Sequence, residues 1–183
     1  MSTERVAIVT GGSCGIGREI TRRLTLQGYA VVVAYRMNQA AAEAAVDEVL
    51  AANGIALAVR ADVTDDVDVD RLFLETVEAF GRVDLVVDAV RQPAGCSLDT
   101  LRAMSCAFAR VLDRRDVNVD TVEHRAGGAV AAVADEVASL AGRGGRALGG
   151  HLIEVRARAG PGTSTGAMAP SRARRSHGTN LRR

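Results

Sequence analysis

The stretch "RVAIVTGGSCGIGREI", Arg5 to Ile20, decides the fold: an apolar run breaks into a glycine cluster, and amphipathic sequence resumes at once. A short β-branched run of this kind is a buried strand. The spacing of Ile16, Ile20, Leu24 and Leu26 then predicts a helix face, closed by Gly28. Glycines at positions 11, 15 and 17 stand between the two elements. They permit positive φ and let the backbone approach a bulky anion with no Cβ in the way. The following helix aims unpaired N–H groups and its positive dipole end at that anion. A glycine cluster alone is weak evidence, but inside a strand–turn–helix unit it reads as a cradle for a pyrophosphate.

Working outward, strand and helix signals alternate. "YAVVVAY" (Tyr29–Tyr35) is a second apolar strand, and Asn38 can cap a helix from Gln39 to Ala52 that ends at Asn53-Gly54. "IALAVRAD" (Ile55–Asp62) reads as the third strand. A helix with an acidic first turn follows and stops at Gly81, and "RVDLVVDAV" (Arg82–Val90) is the fourth strand. This alternation predicts an α/β, Rossmann-type three-layer sandwich with a mostly parallel sheet. Beyond Val90 the pattern weakens. Gln92 to Ser97 reads as a loop, Leu98 to Leu112 and Ala129 to Gly142 as helices, and "HLIEVRARA" (His151–Ala159) as a strand. The expected organisation is one domain over 1–169 and a basic, disordered tail over 170–183.

Composition narrows the function classes. At 183 residues the chain can bury a core without disulfides or metal. No apolar stretch reaches membrane-spanning length and no leader pattern opens the chain, so a cytoplasmic protein without membrane contact is expected. Cys14, Cys96 and Cys106 have no metal-ligand spacing. Neither have His124, His151 and His177, which read as loop or surface residues; no metal is expected. There is no lysine, so all 23 basic residues are arginine. Residues 1–140 carry 14 arginines against 21 acids, whereas residues 141–183 carry nine against Glu154 alone. The basic tail lacks interleaved aromatics, which argues against nucleic acid as a partner.

"TGGSCGIG" (Thr10–Gly17) resembles the TGxxxGxG signature of the short-chain dehydrogenase/reductase family. The resemblance runs from Arg5 to about Asn118 and is similar to the 3-oxoacyl-carrier-protein reductase branch. "ADVTD" (Ala61–Asp65) looks like the segment in which Asp62 and Val63 would contact the adenine. "DVNVDTV" (Asp116–Val122) looks like the one carrying a catalytic asparagine, here Asn118. The resemblance implies a cofactor site of Thr10, Gly11, Ser13, Gly15, Ile16, Gly17, Arg36, Asp62 and Val63. It implies a small-molecule carbonyl or acyl-carrier substrate and a homo-oligomer. Folds that prefer NAD place an acid after the second strand to hold the ribose 2′-hydroxyl. This chain has Tyr35-Arg36-Met37-Asn38 there. A guanidinium at Arg36, aided by Ser13, suits a 2′-phosphate, so NADP(H) is expected over NAD(H).

The family pattern then fails. Its "NNAG" segment is replaced by Asp88-Ala89-Val90-Arg91, where a carboxylate near the cofactor phosphates would oppose binding. Its Tyr-x-x-x-Lys motif, which handles the proton, has no counterpart: the two tyrosines are Tyr29 and Tyr35, and lysine is missing. Two registers compete for the segment after Ala129. In one, Ser139 matches the catalytic serine, Glu154 the tyrosine and Arg158 the lysine, with Glu154 and Arg158 paired on a helix. In the other, which explains more consecutive residues, Ile153–Met168 overlays a late strand and its Pro-Gly loop, and Ser139 is an ordinary helix residue. Under either register the family's acid and lysine are missing, and so is its closing strand and helix. The sheet is thus expected to be incomplete at its C-terminal end. Catalysis is expected to be impaired; a non-catalytic NADP(H)-binding protein and a truncated, non-functional product are the alternatives.

Overall fold

The computed structural model describes residues 5–90, 97–113, 117–125, 129–144 and 150–158. Its elements follow in the order β1 (Arg5–Thr10), α1 (Gly15–Leu26), β2 (Tyr29–Tyr35), α2 (Gln39–Ala51), β3 (Ala56–Arg60), α3 (Asp66–Phe80), β4 (Leu85–Asp88), α4 (Ser97–Val111), β5 (Asn118–Arg125), α5 (Val130–Gly144) and β6 (His151–Arg158). The strands pair as one parallel sheet in the order β3-β2-β1-β4-β6-β5. The expected Rossmann-type sandwich is what forms.

Local chemistry sets the boundaries. Asn38 caps α2 by accepting from the Ala41 N–H at 3.0 Å, and Asp65 caps α3 by accepting from Val67. Gly81 ends α3 at φ +79°, in the left-handed region that a side chain would disfavour. In α1, Ile20 and Leu24 are buried as their spacing requires, whereas Leu26 is 66% exposed and lies off the face. The reason is angular: Leu26 follows Leu24 by two positions and is turned well away from the stripe.

Alternate residues of each central strand feed two cores. Val9, Val31, Val87 and Ile153 pack against Ile20 and Leu24 of α1, Ala42 of α2 and Ala134, Val137 and Ala141 of α5. Ile8, Val32, Val86 and Leu152 pack against Leu72 and Phe73 of α3 and Met104 and Phe108 of α4. Helices α1, α2 and α5 therefore cover one face, and α3 and α4 the other. The connections through α1, α2 and α5 step across the sheet in one direction, those through α3 and α4 in the other, so all share one hand.

The back half departs from a simple continuation. β5 lies at the sheet edge, and β6 returns through α5 to fill the place between β4 and β5. Leu152 and Ile153 are fully buried there. The strand over Asn118–Arg125 was not expected, because its charged residues break the apolar alternation that marks a buried strand; an edge position tolerates them. His151 opens β6 and is largely buried, not on a loop, with Nδ1 3.4 Å from Asp120 Oδ2. Residues 170–183, read as a tail, lie outside the described residues.

Candidate functional site

A parallel sheet presents a crevice beyond its C-terminal edge wherever neighbouring strands send their connections to opposite faces. Here β1 leaves toward the face of α1 and β4 toward that of α4, so the crevice opens between β1 and β4.

The glycine turn forms its floor. Gly11 and Gly15 adopt φ of +66° and +53°. A Cβ on Gly17 would stand 2.2 Å from the Gly11 carbonyl oxygen, so the helix can meet the turn only as glycine. A Cβ on Gly15 would meet nothing within 4 Å, which marks open space above the turn. Cys14, in extended conformation at the N-cap of α1, makes no side-chain capping bond, and the first turn holds no acid. The first N–H groups of α1 lack intrahelical partners by geometry and meet no internal anion in that turn. Donors, a positive dipole end and room together fit the phosphates of a dinucleotide.

The expected cofactor residues fall into three groups. Gly11, Gly15 and Gly17 shape the turn, with Ser13 and Ile16 beside them, Ser13 buried and Ile16 packed on the core. Arg36 and Asp62 meet at the ends of β2 and β3, Arg36 Nη1 lying 3.6 Å from Asp62 Oδ2. Thr64 donates to Asp62 through its hydroxyl at 2.7 Å and its backbone N–H at 3.0 Å. These bonds hold the Asp62 carboxyl below its ordinary range, and the nearby Arg36 adds to the effect. Thr10 and Val63 face inward: Val63 belongs to the core, and Thr10 is 1% exposed.

Thr10 has another task. Its Oγ1 donates to Asp88 Oδ1 at 2.6 Å, and the Val90 N–H reaches the same oxygen at 3.2 Å. The Ala89 N–H donates to the Thr10 carbonyl. The end of β4 is thus laced to the end of β1. Asp88 is 2% exposed, so the carboxylate expected to oppose the phosphates is drawn into the sheet.

The two expected catalytic residues do not come to this crevice. Asn118 opens β5 and is level with His151, three residues below the row of Asp88 and Glu154. At about 3.3 Å per residue that is roughly 10 Å toward the opposite edge. Ser139 is exposed on α5. Its neighbour Ala138 accepts from Gln27 Nε2 at 3.0 Å, at the far end of α1 from the glycine turn. The helical pairing of Glu154 with Arg158 is replaced by a strand, in keeping with the register that places a late strand here.

Arg156 carries no motif signal in the sequence. It follows Glu154 by two positions on β6, so both face the side of Leu152, a relation the strand alternation already contained. Arg156 Nη2 stands 2.7 Å from Glu154 Oε2, an ion pair without the alignment of a hydrogen bond. Among the described residues, no helix is long and apolar enough to cross a membrane, and no group of three His, Cys, Asp or Glu is placed to hold a metal.

Residues 5–113 match the sequence model of a family described as short chain dehydrogenase. A 3-oxoacyl-[acyl-carrier-protein] reductase of Synechocystis sp. is 41% identical over 99 residues, covering 54% of this chain and 38% of that protein. The match thus spans little more than a third of that curated relative. Among solved structures, a double variant of a Serratia marcescens short-chain dehydrogenase/reductase aligns with TM-score 0.58 and 26% identity, covering 75% of this chain and 64% of that one. A short chain dehydrogenase from Burkholderia cenocepacia, solved in complex with NADP, aligns with TM-score 0.62 and 23% identity over 83% of this chain and 96% of that one; at this identity the likeness shows the fold.

Proposed function

The chain belongs to the short-chain dehydrogenase family, and from that premise we propose that its crevice binds NADP(H) and that its inherited reaction is reduction of a ketone or 3-oxoacyl group. The observation that carries this reading is the turn itself, with Gly17 packed against the Gly11 carbonyl and the uncapped start of α1 above it. When bound, the reduced nicotinamide would supply hydride to a carbonyl carbon. The chain's own residues would do the rest: the turn holds the pyrophosphate, and the Thr10–Asp88 bond fixes the spacing of β1 and β4 beneath it. Arg36, 61% exposed in its side chain, would pair with a ribose 2′-phosphate.

Asp62 competes for the same guanidinium at 3.6 Å, so the pair must open or share when the phosphate arrives. Replacing Arg36 by Ala is expected to weaken NADPH about tenfold while leaving NADH nearly unchanged. Isothermal titration with both cofactors measures this, and equal losses for the two would overturn the role of Arg36.

We further propose that proton transfer is impaired. Tyr29 is buried and donates to the Ala141 carbonyl at 3.1 Å, at the start of β2, away from the crevice. Burial also raises its phenol above the ordinary range, which makes it a weaker acid. Lysine, which would assist a phenol, is missing from the chain. Steady-state NADPH oxidation with 3-oxoacyl and diketone substrates tests the proposal. Rates of about 0.01 s⁻¹ or below are expected, against a median near 10 s⁻¹ for enzymes at large. Turnover near that median would contradict it. A second reading, a cofactor-binding protein without turnover, rests on the same missing groups and predicts saturable NADPH binding with no oxidation.

A further inference from the structure

We propose that Asn53 is a deamidation site, and that the turn ending α2 restrains the reaction until the corner between α2 and β3 opens. The chain holds four asparagines, and Asn53 alone is followed by glycine. Gln39, Val119 and Leu181 follow the other three. A glycine at the next position leaves its backbone nitrogen open to react, because no Cβ shields it.

The fold itself requires this pair of residues. Helix α2 has its C-cap at Ala52, and Asn53 follows at φ +57°, in the left-handed region that asparagine tolerates better than most residues. The Gly54 N–H donates to the Val49 carbonyl at 2.9 Å, and the Asn53 N–H to that of Leu50 at 3.0 Å. Together these two bonds make a Schellman cap. A Cβ at position 54 would stand 2.2 Å from Thr25 Cγ2 and 2.8 Å from Val49 Cγ1, so the corner closes only over glycine. Asn53 is exposed and lines a cavity of about 410 Å³ between α1 and α2, which gives water access to its amide.

The chemistry draws on water alone. The Gly54 nitrogen gives up its proton and attacks Asn53 Cγ. The N–Cγ bond forms, the Cγ–Nδ2 bond breaks, and the amide leaves as ammonia with the proton, closing a five-membered imide. Water then opens the ring. Opening at Cγ gives aspartate; opening at the main-chain carbonyl carbon gives isoaspartate, in which the chain runs through Cγ and is one carbon longer. In the closed turn the Gly54 proton is engaged by the Val49 carbonyl, so the nitrogen faces the helix and not Cγ. Attack therefore waits for the cap to open. Either product places a carboxylate at the negative end of the α2 dipole, where it is unfavourable. Isoaspartate also lengthens the chain two residues before Ile55, whose carbonyl accepts from the Val31 N–H at 2.9 Å and ties the start of β3 to β2.

The test incubates the full chain at neutral pH, once folded and once unfolded in urea. Peptide mass spectrometry follows the loss of ammonia at each asparagine, and methylation by an isoaspartyl methyltransferase reports isoaspartate. In urea, Asn53 is expected to react ahead of Asn38, Asn118 and Asn180. In the folded chain its rate is expected to fall by at least about thirtyfold, the factor for opening two backbone hydrogen bonds. Hydrogen exchange at the Gly54 amide is expected to slow by a similar factor. Reaction at Asn53 no faster than at the other three in urea would overturn the site. A folded rate equal to that in urea, or a Gly54 amide that exchanges freely in the folded chain, would overturn the restraint.

Discussion

The two sides of the same sheet edge differ in what they offer a ligand. Over β1 and β2 lie a glycine turn, an uncapped helix start and an exposed Arg36, all suited to phosphate. Over β4 and β6 lie two buried carboxylates, Asp88 and Glu154, one tied to Thr10 and the other to Arg156. The first side fits the proposed cofactor; on the second, no described residue supplies the phenol–lysine pair that the family resemblance implies. The difference teaches that the phosphate-suited features and the buried carboxylates occupy separate strands, so a change in one need not disturb the other.

The sharpest way to break the first side is Gly17→Ala. Its Cβ would fall 2.2 Å from the Gly11 oxygen, a backbone atom that yields only if the turn moves. Loss of about 1–3 kcal/mol of stability is expected from the overpacking. A weakening of NADPH by about a hundredfold is expected from the displaced turn. Urea unfolding and cofactor titration measure the two effects, and an unaltered affinity would show that the turn does not hold the phosphates.

The second side is probed through its newest strand. Ile153→Ala should cost about 2–5 kcal/mol, as in a packed core, because Ile153 is fully buried between β4 and β5. Leu57→Ala, on the edge strand β3 and 37% exposed, should cost only about 1 kcal/mol. Comparable losses in urea unfolding would argue that β6 does not fill the sheet.

The smallest effect concerns the seam between the halves. Arg23 of α1 bridges Glu19 on its own helix and Asp135 on α5. Hydrogen bonds from Arg22, and then Arg23, hold the Glu19 carboxyl at about 2 against an ordinary 4.5, with partial burial opposing them. A depressed carboxylate contributes stability above its unfolded value and loses it as pH falls through the folded one. Glu19→Gln is therefore expected to cost under about 1 kcal/mol at pH 7. That difference should shrink below pH 4.5 and vanish near pH 2. A difference that stays constant from pH 7 to pH 3 would assign the effect to packing instead.

Legibility followed the same division. In the front half, apolar strands, Asn38, Asp65 and Gly81 each carry their own local signal, and chain order agrees with spatial order outward from β1 to β3. The cradle was readable because glycine is the one residue that the approach of position 17 to Gly11 allows. The back half was harder because β5 is a charged edge strand and β6 takes its place by long-range pairing, which no local pattern encodes. Motif resemblance alone marks Asn118 and Ser139, and strand register with helix packing sets both away from the crevice. The Thr10–Asp88 bond joins positions 78 residues apart, so only the folded sheet reveals that the carboxylate turns inward.

Fluorescence titration of the full chain with NADPH and NADH tests the central claim most directly. Saturable binding of NADPH, about tenfold or more tighter than NADH, is the predicted result. Equal or tighter binding of NADH would contradict the assignment of Arg36, and no saturable binding of either would contradict the cradle itself.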